Sequence, residues 1–239
     1  MSNVFGVGQN VVVLGGRSDI AAAIVEQMRG IDPGVKVVAC VRQPRVGEVG
    51  YDAMQSGSAE AALQAGREQL GSIDCVIVAF GVLDTEGESL TEPGRVGRNI
   101  AVNMAAACEA GVAAAQILGS SGGGDLVYLS SIAAVRARGS MAAYSSAKSG
   151  ADAFYQAAAR QWGNLGVRTF IVRPGFVMTK MTEHLPKKAG AAAPEAVGSA
   201  VVKAMRGTSQ GVHIVYTSTI LKVIAWCMTK VPKILWTRL

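Results

Sequence analysis

The sequence predicts an α/β protein: a doubly wound parallel sheet of about seven strands, helices on both faces, and an apolar, basic helix as a C-terminal tail. Three observations carry this expectation. Apolar runs of strand length alternate with segments of helical length and pattern along the chain. Half of the 239 residues are hydrophobic but only 5% are aromatic, and 29 glycines accompany alanine-rich stretches, so elements are expected to pack closely through small side chains. Nothing in the sequence resembles an interdomain linker or a low-complexity tract, so residues 1–217 are expected to form one domain and 218–239 its amphipathic tail.

In order, the first strand is VVVL at 11–14, followed by a glycine turn and a helix over 20–29. VKVVACV at 35–41 supplies the second strand, a shorter run at 48–51 the third, and a second helix follows at 59–70. The fourth strand, at 73–80, leads into a long helix at 98–118. Strands at 126–129, 167–172 and 212–216 then alternate with helices at 142–162 and 194–205. This alternation is the signature of a parallel sheet covered on both faces. Right-handed crossovers place the ligand crevice of such a sheet at the carboxyl ends of its strands.

Composition excludes several classes. Cys40, Cys75, Cys108 and Cys227 lack the paired spacing of a zinc site or redox motif and read as buried thiols in a reducing compartment. The net charge of +6 does not gather into a basic stripe interleaved with aromatics, so no nucleic-acid partner is expected. No metal site is expected either, because His184 and His213 are distant from each other and no carboxylates cluster with them. The start, MSNVFGVGQN, lacks the charged and apolar regions of a secretory signal, and no run reaches the ~18 apolar residues that span a bilayer. A cytoplasmic location is the expectation.

Two local patterns point to chemistry. VVVLGGRSDIAAAI reads as a buried strand, a glycine turn and a helix start. There Gly15 and Gly16 let the backbone approach a pyrophosphate, and Arg17, Ser18, Asp19 and Ile20 lead into a helix whose free N–H groups point at it. The bland alternative is a plain tight turn. In AAYSSAK, a spacing of four puts Tyr144 and Lys148 on one face of a helix, so a phenol and an ammonium can act on one ligand. Such pairs also decorate ordinary amphipathic helices, so the surroundings must decide.

Over residues 11–216 the chain resembles the short-chain dehydrogenase/reductase family, with its motifs in the family's order. LGGRSDIA is similar to the family's Gly-x-x-x-Gly-x-Gly loop, with Gly15 as the first glycine and Asp19 and Ala21 in place of the others. VAFG, with Ala79 and Gly81, resembles the Asn-Ala-Gly turn with its first residue changed. AVNM supplies Asn103, LSSIA supplies Ser131 thirteen residues before Tyr144, and RPGFVMTKM supplies the Pro-Gly segment with Pro174 and Gly175. The resemblance implies a Rossmann fold, a nicotinamide cofactor and a catalytic set of Asn103, Ser131, Tyr144 and Lys148. The departures fall among the cofactor glycines. Ala21 adds one methyl where helix meets strand; Asp19 would repel a pyrophosphate unless it caps the helix and points away.

The expected chemistry is ketone reduction. Hydride transfer leaves negative charge on the carbonyl oxygen, which needs a proton donor, Tyr144, and a polarising hydrogen bond, from Ser131. A phenol with a pKa of ~10 is a poor donor near neutrality, and the Lys148 ammonium with an oxidised nicotinamide would lower it. By resemblance, Lys148 also holds the nicotinamide ribose and Asn103 anchors a water that relays protons to it. Taken alone, Asn103 reads equally as a helix-kink or cap residue.

Cofactor choice follows from charge. No acid follows the second strand in VVACVRQPR, Arg42 does, and Arg17 in the glycine turn can reach the same phosphate, so NADP(H) is expected over NAD(H). By resemblance, Asp52 contacts the adenine, Val177 meets the carboxamide through its backbone, and Thr179 meets the carboxamide or the pyrophosphate. Residues 180–193 are expected to form a lid that includes His184.

The tail, STILKVIAWCMTKVPKILWTRL, carries Lys222, Lys230, Lys233 and Arg238 with no acid. Tryptophans and cations beside a short apolar run suit a water–lipid boundary, so peripheral contact with the inner face of the membrane is expected; packing on a second subunit is the alternative. LGGRSDI, DCVIVAFGVL, IVRPGFVMTKMTEHL and the tail resemble a branch of the family that reduces a polyprenyl-phosphate-linked keto-pentose beside a partner oxidase. The resemblance implies a lipid-linked keto sugar substrate and, as is common in the family, a homo-oligomer. A soluble reductase of another ketone or acyl substrate, or a non-catalytic nucleotide-binding membrane partner, are the other readings.

Overall fold

The computed structural model describes residues 9–83, 91–186, 190–207 and 210–232. Seven parallel strands form one sheet in the order β3-β2-β1-β4-β5-β6-β7. The chain runs β1 (Asn10–Leu14), α1 (Asp19–Arg29), β2 (Lys36–Val41), β3 (Val49–Gly50), α2 (Ser58–Leu70) and β4 (Cys75–Val78). It continues with α3 (Pro93–Ile100), a π-helical turn (Ala101–Ala106), α4 (Ala107–Ser120), β5 (Gly124–Leu129) and α5 (Ala142–Gly163). β6 (Val167–Arg173), α6 (Pro194–Gly207), β7 (Val212–Tyr216) and α7 (Thr219–Lys230) complete it.

The central strands β1 and β4 read as unbroken apolar runs because both of their faces are buried. On β1, Val12 and Leu14 enter a layer with Leu63 of α2, Leu118 of α4 and Tyr155 of α5. Val11 and Val13 enter the opposite layer with Ile24 of α1 and Val201 of α6. This is the period-two alternation of a pleated strand sealed by helices on both sides. β1 pairs with β2 on one side and β4 on the other, so the connections reverse direction there and open a crevice at the strands' carboxyl ends. A buried ion pair crosses this interior: Arg168 grips Asp125 with two hydrogen bonds of 2.7 Å and donates a third, at 3.0 Å, to the Met205 carbonyl.

Several boundaries differ from the sequence expectation. The long helix begins at Pro93 rather than residue 98, since proline suits the first helical turn. From Pro93 to Ser120 the helical stretch is long and apolar enough to cross a membrane by length and composition, contrary to expectation. Its apolarity is used inside the fold: Ala107, Ala110, Ala114, Ala115 and Leu118 are at most 1% exposed. Cys40 and Cys75 are buried as expected and Cys108 is partly so, but Cys227 is exposed. The reason lies in α7, which buries only one edge. Ala225 and Met228 pack with Ile132 and Tyr216, while Ile220, Val223, Ile224 and Trp226 face outward. Arg136 ties down the helix end through the carbonyls of Met228 and Val231.

Candidate active site

The glycine turn after β1 is built by close approach. Gly15 has φ +95°, and a Cβ there would lie 2.7 Å from the backbone nitrogen of Phe80, so only glycine lets the turn settle against the end of β4. The N–H groups of Gly15 and Gly16 both donate to the Cys40 carbonyl at 3.0 Å, locking the turn to β2. Ala21, in place of a family glycine, is buried in the core between α1 and the sheet, so its methyl is accommodated. The Asp19 expectation is corrected. Ser18 caps α1 by accepting from Ala21 N–H at 3.3 Å, while Asp19 accepts the Lys180 N–H at 2.8 Å and pairs with its ammonium at 3.2 Å. The carboxylate therefore ties the glycine turn to the start of the 180–193 segment.

A cleft of about 780 Å³ runs from this turn to the N-terminal part of α5, and every sequence-predicted site residue except Asn103 lines it. That volume lies in the range of cofactor pockets. Arg42 and Asp52 stand near its β2–β3 end, and Ser131, Tyr144, Lys148 and Val177 line it as well. His184 also lines it, while residues 187–189 of the expected lid lie outside the described residues.

The residues expected to be catalytic are positioned by three elements. Ser131 heads the 3₁₀ turn Ile132–Ala134, its Oγ accepting from Ala133 N–H at 3.1 Å, and Ile132 N–H donates to the Pro174 carbonyl at 2.9 Å. This second bond fastens the β5 and β6 loops together. Burial pushes the Tyr144 phenol up, and a hydrogen bond with Ser131 pulls it back. Lys148, 4% exposed, donates to the Leu129 carbonyl at 2.8 Å and lies 5.1 Å from the Tyr128 ring centroid. Burial brings its pKa down to about 8, with the Asp152 carboxylate opposing.

Asn103 sits behind the cleft in the π-helical turn, fully buried. Its Oδ1 accepts from Val82 N–H at 3.1 Å, and its amide donates to the Val82 carbonyl and to Asn99 Oδ1, each at 2.8 Å. One amide hydrogen thus holds the loop after β4 and the other ties Asn103 to α3. A Cβ at Gly81 would lie 2.8 Å from Asn103 Oδ1 and 3.9 Å from Lys148 Nζ, so glycine is what lets this loop pass between the two.

Four contributors escape a reading of the sequence alone. Asp152 accepts from Ser130 Oγ at 2.5 Å and from Arg173 at 2.6 and 3.0 Å, supplying negative charge one turn beyond Lys148. Its spacing of four from Lys148 is a signal that was available. Tyr128 lies under the ammonium and Phe80 lines the cleft against Tyr51; both look like ordinary strand residues. Glu48 engages Arg17 through two hydrogen bonds of 2.5 and 2.8 Å, so the arginine expected to reach a phosphate already holds a carboxylate.

Comparison with known proteins agrees with this fold. A family model described as short chain dehydrogenase matches residues 9–190. An uncharacterized oxidoreductase of Mycobacterium tuberculosis is 27% identical over 96% of each chain. The (3R)-3-hydroxyacyl-CoA dehydrogenase of Rattus norvegicus is 41% identical over 92 residues, 38% of this chain and 36% of the relative. A short chain dehydrogenase from Burkholderia cenocepacia, solved in complex with NADP, superposes with a TM-score of 0.80 over 97% of each chain at 23% identity. That likeness concerns the fold. The chain belongs to the short-chain dehydrogenase family.

Proposed function

We propose that the protein is an NADP(H)-dependent ketoreductase. The observation that carries this reading is the convergence of Ser131, Tyr144 and Lys148 in one cleft that reaches back to the glycine turn. The residues fit the cofactor: Gly15 and Gly81 line the cleft at places where a Cβ would run into the Phe80 backbone and Asn103 Oδ1, and Arg17 and Arg42 offer positive charge at the β2–β3 end. Tyr144 and Lys148 would hold the nicotinamide ribose, with Val177 and Thr179 at the carboxamide. When bound, the reduced nicotinamide supplies the hydride.

The chain's own residues handle the proton and the charge. Ser131 Oγ donates to the substrate carbonyl oxygen and polarises it, and Tyr144 Oη gives its proton to that oxygen as negative charge develops. The Lys148 ammonium stabilises the phenolate left behind. Asn103 fixes the loop that carries Gly81 and Val82, which keeps the wall of the cleft in place.

The substrate we infer is a keto sugar carried on a polyprenyl phosphate. The support is the resemblance of LGGRSDI, DCVIVAFGVL, IVRPGFVMTKMTEHL and the tail to decaprenylphosphoryl-2-keto-erythro-pentose reductases, which work beside a flavin oxidase in making an arabinose donor. The outward face of α7 agrees with a lipid-bound substrate. Ile220, Val223, Ile224 and Trp226 are exposed there beside Lys222 and Lys230, a composition suited to the cytoplasmic surface of an anionic membrane. The partial match to a hydroxyacyl-CoA dehydrogenase favours an acyl thioester as the second reading.

The test is NADPH oxidation with keto sugars on short polyprenyl phosphates against 3-oxoacyl thioesters, with Tyr144→Phe as control. Turnover of the keto sugar, and loss of liposome binding on removing residues 219–239, are expected. Turnover of thioesters alone selects the second reading, and full turnover by Tyr144→Phe overturns the mechanism.

A further inference from the structure

Against Arg17, which lines the cleft, stands a carboxylate that the proposed cofactor does not call for. Glu48 stands immediately before β3, with its side chain only 16% exposed. Its Oε1 accepts from Arg17 Nη1 at 2.5 Å, and its Oε2 accepts from Arg17 Nη2 and from the Arg45 backbone N–H, each at 2.8 Å. These donors hold its carboxyl below the usual carboxylate range, so it is ionised throughout the physiological range. The arginine is the looser partner, with 54% of its side chain exposed.

The geometry of this pair matters more than its strength. A guanidinium fork meets a carboxylate through two parallel N–H···O bonds, and it meets a phosphate monoester in the same way. Glu48 therefore occupies the two donors that a ribose 2′-phosphate would seek on Arg17. Such a phosphate must displace the carboxylate or share the guanidinium with it at close range, where two anions repel each other. A cofactor with a free 2′-hydroxyl meets no such conflict. Arg42 lines the same end of the cleft and can hold the phosphate without Arg17.

Resting on the reading of this cleft as an NADP(H) site, we propose that Glu48 is a specificity-determining residue: it competes with the 2′-phosphate for Arg17 and so moderates the preference for NADP(H) over NAD(H). The pair is a counterweight to Arg42. Removing the negative charge at position 48 frees the Arg17 fork and sharpens selection for the phosphorylated cofactor.

The experiment measures binding of 2′,5′-ADP and 5′-AMP to the full chain by calorimetry, for the wild type, Glu48→Gln, and Glu48→Gln combined with Arg17→Met. Glu48→Gln is expected to bind 2′,5′-ADP about tenfold more tightly at low salt, with 5′-AMP unchanged and the gain narrowing as salt screens the charges. Adding Arg17→Met is expected to abolish the gain. Glu48→Ala, which also removes the hydrogen bonds that glutamine keeps, should shift binding in the same direction, and thermal melts of each variant confirm folding. If the wild type binds 2′,5′-ADP and Glu48→Gln binds it equally or less tightly, Glu48 orients Arg17 for the phosphate and the proposal is overturned. If the wild type binds neither nucleotide, the cofactor reading fails first and takes the proposal with it.

Discussion

The Lys148 ammonium donates to the Leu129 carbonyl oxygen at 2.8 Å, which pins a buried cation to the end of β5, two residues before Ser131. Phenol and polarising hydroxyl are thereby held to a common support. Tyr144→Phe leaves this support in place and removes only the transferable proton, so kcat is expected to fall by about 10²–10⁴-fold with NADPH binding little changed. Single-turnover NADPH oxidation beside a binding titration checks the split.

Activity should depend on pH through Lys148. Burial lowers its pKa from 10.5 to about 8, so the free enzyme loses the ammonium as pH rises through that value and kcat/KM for ketone reduction falls above it. Asp152 opposes the shift; Asp152→Asn should move the alkaline limb to lower pH, and an unmoved limb contradicts the role given to that charge.

The same group acts on stability with a defined sign. Between about pH 8 and 10.5 the unfolded chain holds a proton on Lys148 that the folded chain has released, so its contribution to stability rises with pH across that window. Urea titrations of the wild type and Lys148→Met at pH 7.5 and 10 test this, since the variant should lack that share of the rise.

Gly15→Ala sets a methyl against the Phe80 backbone in a left-handed conformation. The expected cost is about 1–3 kcal/mol of stability, with cofactor affinity lost as the turn shifts. Chemical denaturation and a binding titration read the two effects separately.

Asp125→Ala takes the counter-charge from the Arg168 guanidinium, 7% exposed in the interior, and should cost about 3–5 kcal/mol. The midpoint of a urea transition measures it. A change below 1 kcal/mol would mean that water reaches the site.

The sheet was legible because its central strands are buried on both faces and so write themselves as continuous apolar runs. The shared placement of Ser131, Tyr144 and Lys148 in the candidate site was legible because they keep fixed separations in the chain, and separation along a strand–helix unit translates directly into position. What escaped depends on contacts between distant segments. Glu48 and Arg17 are 31 residues apart and meet only when β3 joins the sheet. Asp19 was expected at the cap, but Ser18, in extended backbone one residue earlier, reaches Ala21 N–H first and leaves the carboxylate for Lys180. Cys227 lies in an apolar stretch, and no pattern within that stretch tells which edge of α7 meets the protein.

The π-helical turn at Ala101–Ala106 links the site to the core. A π turn carries an extra residue relative to an α turn, and one residue advances a helix by about 100° about its axis. The side chains of α4 therefore stand out of phase with those of α3, and that offset is what lets Asn103 face the loop after β4 while Ala107, Ala110 and Ala114 face the interior. The helix behaves as a gear with one tooth added. Deleting a single residue from the turn would rotate one end against the other, so that either Asn103 leaves Val82 or the alanine face leaves the core.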